Sequence, residues 1–167
     1  MKKIILTAMT ATLLSAPTLA QDKLFDGGYI GAEAGVVDSQ FTAGGYIGYR
    51  KQLKNDFVVG LEGSYSYYDI KTRPRFNRDR DGFGAAGVIG KVYGRGLFFG
   101  TAGYLNAKTD VSGPIGDFSK RRHGYSVGGG YEHKITDYLS ARVKTEYVDM
   151  GERLSGVKAT AGISFNF

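Results

Sequence analysis

The sequence predicts an all-β protein: an eight-stranded antiparallel up-and-down transmembrane β-barrel preceded by a cleaved signal peptide. Three observations point there. From Val157 to Phe167 the chain alternates strictly, with Val157, Ala159, Ala161, Ile163, Phe165 and Phe167 on one face and Lys158, Thr160, Gly162, Ser164 and Asn166 on the other. Period two over about ten residues makes a strand with one apolar and one polar face. Seven further segments repeat the pattern between Tyr29 and Asp149. Past residue 20, the chain holds no run of about eighteen apolar residues suited to a membrane helix. A closed barrel is the other way to cross a bilayer with every backbone group paired.

At 167 residues the chain fits one domain. It contains no cysteine, which excludes disulfides and thiolate sites. The 26 glycines follow no collagen-like period and ask for a structural reason. The net charge of +6 includes Lys2 and Lys3; what remains is too mildly basic to argue for nucleic acid. Residues 1–20 read as a secretory signal peptide. Lys2 and Lys3 form its positive start, Ile4 to Leu14 is mostly apolar, and Pro17 to Ala20 ends on small residues suited to a cut before Gln21. Residues 21–167 are then the barrel domain.

The first predicted strand runs from Tyr29 to Val37, with Ile30, Ala32, Ala34 and Val36 outward and Tyr29, Gly31, Glu33 and Gly35 inward. The second, Phe41 to Arg50, turns Phe41, Ala43, Ile47 and Tyr49 outward and Thr42, Tyr46 and Arg50 inward. Residues 51–56 form a polar turn. The third, Phe57 to Tyr68, sets Phe57, Val59, Leu61, Tyr65 and Tyr67 against Glu62, Ser64 and Ser66. Residues 69–81 read as a charged loop.

In the fourth strand, Gly82 to Tyr93, small residues blur the alternation; Ala86, Val88 and Val92 are assigned outward, Ile89 and Lys91 inward. A Gly94-Arg95-Gly96 turn leads to the fifth, Leu97 to Ala107, with Leu97, Phe99, Thr101 and Leu105 outward and Tyr104 and Asn106 inward. Residues 108–122 read as a second long loop. The sixth, Gly124 to His133, points Tyr125, Val127 and Tyr131 outward. The seventh, Leu139 to Asp149, alternates Leu139, Ala141, Val143, Thr145 and Tyr147 with Ser140, Arg142, Lys144, Glu146 and Val148. Short connections after the second, fourth and sixth strands, and longer ones after the third and fifth, fit periplasmic turns and outer loops.

A soluble eight-stranded ligand-binding barrel would carry the reverse order, apolar within and polar without. A sandwich would carry more uniform charge on its outer faces. Here the large apolar residues share a face free of charge, and the opposite face holds Glu33, Glu62, Arg142, Lys144, Glu146 and Lys158. Such charges must pair when buried, so these six are expected to meet as an interior network. An eight-stranded barrel is just wide enough for its own side chains to fill, and inward glycines make room for them.

From Gly124 to Gly151 the chain resembles the small bacterial outer-membrane β-barrel family, which includes OmpA-type barrels, OmpX, the neisserial surface protein NspA and the surface antigens of rhizobia and Brucella. The likeness lies in Gly128 and Gly130, in the Thr136-Asp137 turn, and in the strand end from Tyr147 through Val148, Asp149 and Met150 to Gly151. The resemblance implies the bacterial outer membrane as location. It also implies that the last strand, with Ile163, Phe165 and Phe167, serves as the signal read by the barrel-assembly machinery. It implies activity weakly, since the fold hosts adhesins, enzymes and anchors alike.

The strongest binding candidates are the basic connections. Lys71, Arg73, Arg75, Arg78 and Arg80 outnumber Asp69, Asp79 and Asp81 around Phe76, and Lys120, Arg121 and Arg122 close the next loop. Guanidinium forks suit phosphates and sulfates. The expected partners are outer-membrane lipid, lipopolysaccharide and a host glycan or matrix protein. No cofactor or metal is expected: Asp79 to Gly82 lacks the full calcium-loop pattern. A non-enzymatic surface barrel that stabilises the membrane and presents these loops is the favoured function. The alternatives are a lipid A-modifying enzyme, using His123 with Ser119 or Ser126, and a narrow ion-conducting channel.

Overall fold

The computed structural model describes residues 23–38, 40–70, 78–113, 116–151 and 155–167. Residues 1–20, expected to be a signal peptide, and residues 71–77 of the first basic connection lie outside them. Eight strands are present: β1 (Gly27–Val37), β2 (Gln40–Gln52), β3 (Phe57–Ile70), β4 (Arg78–Tyr93), β5 (Gly96–Gly113), β6 (Gly116–Lys134), β7 (Leu139–Asp149) and β8 (Ser155–Asn166). Each pairs antiparallel with its sequence neighbours, and β1 closes on β8 from Tyr29↔Asn166 to Val37↔Lys158. The closed eight-stranded barrel is the architecture the sequence predicts.

Three tight connections share one end with Phe25 and Phe167. A 3-10 turn at Lys54–Asp56 joins β2 to β3. Gly94, at φ 59°, makes the two-residue turn into β5, a left-handed conformation that glycine adopts without cost. Thr136 Oγ1 accepts the Leu139 N–H at 3.0 Å in the β6–β7 turn. In transmembrane barrels short turns face the periplasm, so this is the inner end.

The outward face is the apolar one. Leu61 is 73% exposed, and Ile30, Ile47, Ile89, Val143 and Ile163 are also exposed. Aromatic residues border this band. Tyr49, Phe57, Tyr93, Phe98, Tyr138 and Phe165 lie toward the inner end, and Phe41, Tyr65, Phe83, Tyr104, Tyr125 and Tyr147 toward the outer. A continuous apolar belt far exceeds the exposed patches of soluble monomers and matches hydrocarbon between two aromatic girdles.

In β4 and β5 the faces are opposite to those the sequence suggests. Val88, Val92, Leu97, Phe99 and Thr101 are buried in the lumen, whereas Ile89, Phe98 and Tyr104 are outward. The cause is an apolar plug at the inner mouth. Phe25, 1% exposed, packs with Val58, Val88, Val92, Leu97 and Phe99, and its N–H donates to Gln52 Oε1 at 3.1 Å. Burial of these groups against one another offsets the loss of a polar lumen there. Lys91 accordingly lies on the lipid side, its ammonium 5.2 Å from the Phe57 ring centre and 5.6 Å from that of Tyr93. That position suits a lysine reaching for the membrane–water interface.

A second difference concerns the two long connections. The described residues of both are strand. β3 and β4 stay paired to Ile70↔Arg78, and β5 and β6 to Gly113↔Gly116. β5 and β6 span 18 and 19 residues, against the roughly ten that cross the bilayer. The ladder between β6 and β7 begins only at Tyr125↔Asp149. On one side of the barrel, β3 to β6 therefore continue outward as a sheet above the rim left by β7.

Candidate functional site: barrel lumen and outer rim

Above the apolar plug the lumen is filled by ion pairs in layers. Arg50 donates to both carboxylate oxygens of Glu132 at 2.8 Å, and also to Asn166 Oδ1 at 2.5 Å. Its guanidinium lies 4.9 Å from the ring centre of Phe25 and 4.4 Å from that of Tyr29. Ser164 Oγ donates to Glu132 at 3.2 Å, and Asn166 Nδ2 donates to Ser140 at 2.9 Å. The next layer centres on Glu62. It accepts two bonds from Arg142, at 2.6 and 3.2 Å, and one from the Tyr29 hydroxyl at 2.9 Å. The Arg142 guanidinium carbon lies 4.5 Å from the ring centre of Tyr46 and 4.4 Å from that of Phe99.

Toward the outer end the chain continues through lysines. Lys144 lies 3.8 Å from Glu62 and 2.8 Å from Glu146. Lys158 lies 3.8 Å from Glu146 and 2.9 Å from Glu33, and donates to Ser66 Oγ at 3.0 Å. Glu33, Glu62, Arg142, Lys144, Glu146 and Lys158, the six charges singled out in the sequence, thus form one connected array of buried side chains. Glu132 and Lys134 join the lumen as well, Lys134 capping the Asp137 carbonyl at 2.9 Å. The placement of Tyr131 outward already implied that its neighbour Glu132 points in. Glycine shapes the same space: a Cβ at Gly31 or Gly48 would collide with the ring of Tyr46 or Tyr29.

The arrangement fills the lumen. Arg50, Glu132, Glu62, Arg142, Lys144, Glu146, Lys158 and Glu33 each lie within 3.8 Å of an opposite charge, whereas Lys134 donates to a backbone carbonyl. A water-sized cavity lined by Ser64, Ser66, Glu146 and Lys158 remains below the outer mouth.

At the outer rim, tyrosines on the lipid side are anchored by polar partners. Tyr65 donates to Asp81 at 2.8 Å and Tyr125 to Asp149 at 3.0 Å. Tyr104 contacts His123 Nδ1, with Asn106 beside it. Ser126 is buried in the lumen on the opposite face of β6, and His133 sits at the far end of that strand, bonded to Tyr131. Ser119 is four positions from His123 on β6, roughly 13 Å along the strand. The structure therefore brings neither serine to the histidine. Among the described residues, no group of three or more His, Asp or Glu is placed to hold a metal.

Of the basic candidates, Lys71, Arg73, Arg75 and Phe76 lie outside the described residues. Arg78 and Arg80 fall on β4, and Lys120, Arg121 and Arg122 on β6, with β5 running between them. Ile163, Phe165 and Phe167 face the lipid on and just past β8.

The chain resembles known proteins in both sequence and fold. It is 27% identical over 129 residues to the 25 kDa outer-membrane immunogenic protein of Brucella ovis, covering 76% of this chain and 64% of that protein. It is 30% identical over 106 residues to a 22 kDa outer membrane protein of Rhizobium leguminosarum, covering 62% and 50%. The chain thus spans half to two thirds of these relatives' length. Its fold superposes on Ail, the attachment invasion locus protein of Yersinia pestis, with a TM-score of 0.67 at 14% identity, covering 85% of this chain and 99% of Ail. Ail has also been solved in complex with the heparin analogue sucrose octasulfate, a structure that matches this chain with a TM-score of 0.59 at 16% identity. A sequence profile described as the outer membrane protein beta-barrel domain matches residues 6–167. With its lipid-facing belt, two aromatic girdles and closed eight-stranded sheet, the chain belongs to that outer-membrane β-barrel family.

Proposed function

We propose that this protein is a non-catalytic surface barrel that stabilises the outer membrane and presents a basic, polyanion-binding extension to the outside. The observation that carries the proposal is the division of the molecule. The lumen is packed with neutralised ion pairs, whereas the outer sheet carries cations from two chain segments standing clear of the membrane. A rigid, sealed cylinder is a support for what it displays. Ligands of matching chemistry are sulfated or phosphorylated carbohydrates, whose anionic groups accept paired bonds from arginine. The solved Ail complex with a heparin analogue is a parallel in a protein of the same fold. Conduction would require the interior array to part, and catalysis at the rim would require a partner that His123 does not have in the serines considered. The barrel-assembly machinery would act during insertion, reading the strand end at Ile163, Phe165 and Phe167.

Heparin binding to whole cells tests the proposal. Cells displaying the native barrel are compared with cells in which Arg73, Arg75, Arg78 and Arg80 are replaced by Ser, at equal surface expression and two salt concentrations. Binding is expected to fall several-fold with the substitutions and again with added salt, since screening weakens exposed charge contacts. Native cells that bind no more heparin than cells lacking the barrel would sink it.

A further inference from the structure

At the inner end of the lipid-facing surface, four rings touch in sequence across β4, β5 and β6. Tyr93 meets Phe98 edge-on with ring centres 6.0 Å apart, Phe98 meets Tyr131 at 4.8 Å, and Tyr131 meets His133 at 6.1 Å. By contrast, Tyr65 with Phe83 and Tyr138 with Phe165 are pairs. The Tyr131 hydroxyl lies 3.0 Å from His133 Nδ1, and its ring covers Gly96, where a Cβ would collide with it. Two residues further from the turns, on the same face, Gly100 of β5 stands opposite Gly129 of β6. A Cβ at these two positions would approach no other strand closer than 3.7 and 3.2 Å. The rings therefore form a shelf with a shallow recess above it, toward the middle of the bilayer.

Lys91 stands at the edge of the shelf, between Phe57 on β3 and Phe98 on β5. Its ammonium rests against the rings of Phe57 and Tyr93, and among the described residues it forms no ion pair. Asp56, the residue before Phe57, accepts from Gln52 at 3.2 Å instead. Ring faces lower the cost of the charge, but an ammonium has three N–H donors that need acceptors, and hydrocarbon offers none. Lys51 at the end of β2, Lys54 and Arg95 add positive charge to the same rim, against Asp56 and Asp137.

We infer that this shelf binds an anionic phospholipid of the inner leaflet, its phosphate accepting from the Lys91 ammonium. An acyl chain lies on the Phe98 and Tyr131 rings and enters the recess at Gly100 and Gly129. The inference is independent of the polyanion-binding role, which concerns the opposite end of the barrel. A headgroup of net negative charge matches the rim, whereas a zwitterionic one brings its own cation against Lys91.

The chain contains no tryptophan, so a single introduced Trp reports its own lipid neighbours through quenching by brominated acyl chains. Phe98→Trp places the reporter on the shelf. Ile30→Trp places it near the inner end of β1, where its neighbours are Ile47 and Phe165. Each protein is folded into mixed vesicles of phosphatidylglycerol and phosphatidylcholine with one or the other lipid brominated, and gel mobility of unheated samples checks folding. At Phe98→Trp, phosphatidylglycerol is expected to be preferred about fivefold, and at Ile30→Trp less than about twofold. Adding Lys91→Gln to Phe98→Trp should bring the preference down to the Ile30→Trp level. Equal quenching by the two lipids at Phe98→Trp would overturn the site. The same preference at both reporters would overturn it too, since the whole surface would then act alike. A preference that survives Lys91→Gln would overturn the assignment of the phosphate to Lys91. Each of these results leaves heparin binding at the outer end untouched, so the two proposals fail separately.

Discussion

Replacing Glu62 by Leu is expected to cost about 3–5 kcal/mol of barrel stability. Glu62 is the carboxylate partner of Arg142, which it meets through two hydrogen bonds at 2.6 and 3.2 Å, and both side chains are only 3% exposed. Without it Arg142 is left charged, dry and unpaired, and the Tyr29 hydroxyl loses its acceptor. Lys144 suffers less because Glu146 lies 2.8 Å away. The double variant Glu62→Leu, Arg142→Leu should recover most of the loss, since removing both charges leaves no orphan to desolvate. Urea unfolding in lipid vesicles, followed by gel mobility of the folded form, measures both. A loss below about 1 kcal/mol in the single variant would mean that water reaches this layer and that the lumen is not sealed.

Leu61→Arg is expected to cost about 2–4 kcal/mol, whereas Tyr93→Arg should cost about 1 kcal/mol or less. Leu61 stands midway along β3 between Phe57 and Tyr65, fully outward, where no polar group can answer a guanidinium. Tyr93 is at the inner end of β4, one residue from the turn, where a cation reaches headgroups. The same unfolding measurement applies. Equal, small costs at both positions would argue that the exposed belt faces water.

The strands and most of their faces were legible because large residues alternate with charged ones. In β7, Arg142, Lys144 and Glu146 interleave with Val143, Thr145 and Tyr147, and only one orientation keeps the charges out of hydrocarbon. β4 and β5 were misread for a physical reason. Near the inner mouth both of their faces are apolar: Val88, Val92, Leu97 and Phe99 line the plug, and Ile89 and Phe98 meet lipid. Hydrophobicity alone cannot choose between two such faces. The hairpin tying Tyr93 to Gly96 then carries one error into both strands.

The outer extension was read as loop for a related reason. Above the lipid neither face needs to be apolar, so from Lys108 to Val111 the period-two signal fades although the backbone stays paired. The basic residues were visible as a composition, but the strand pairing of the segments that carry them was not. The interior network was legible in its charges. Glu132, which pairs with Arg50, was not counted in that network, although placing Tyr131 outward turns it inward.

The direction in which the barrel presents its extension is open to direct measurement, and the absence of cysteine from the chain makes it clean. Single cysteines at Ser112, near the tip of β5, and at Lys54, in the turn between β2 and β3, mark the two ends. A maleimide that cannot cross the outer membrane is applied to intact cells and again after permeabilisation. Ser112→Cys is expected to label in intact cells, and Lys54→Cys only once the membrane is opened. Labelling of Lys54→Cys in intact cells, with Ser112→Cys protected, would place the basic sheet in the periplasm and contradict a role in surface presentation.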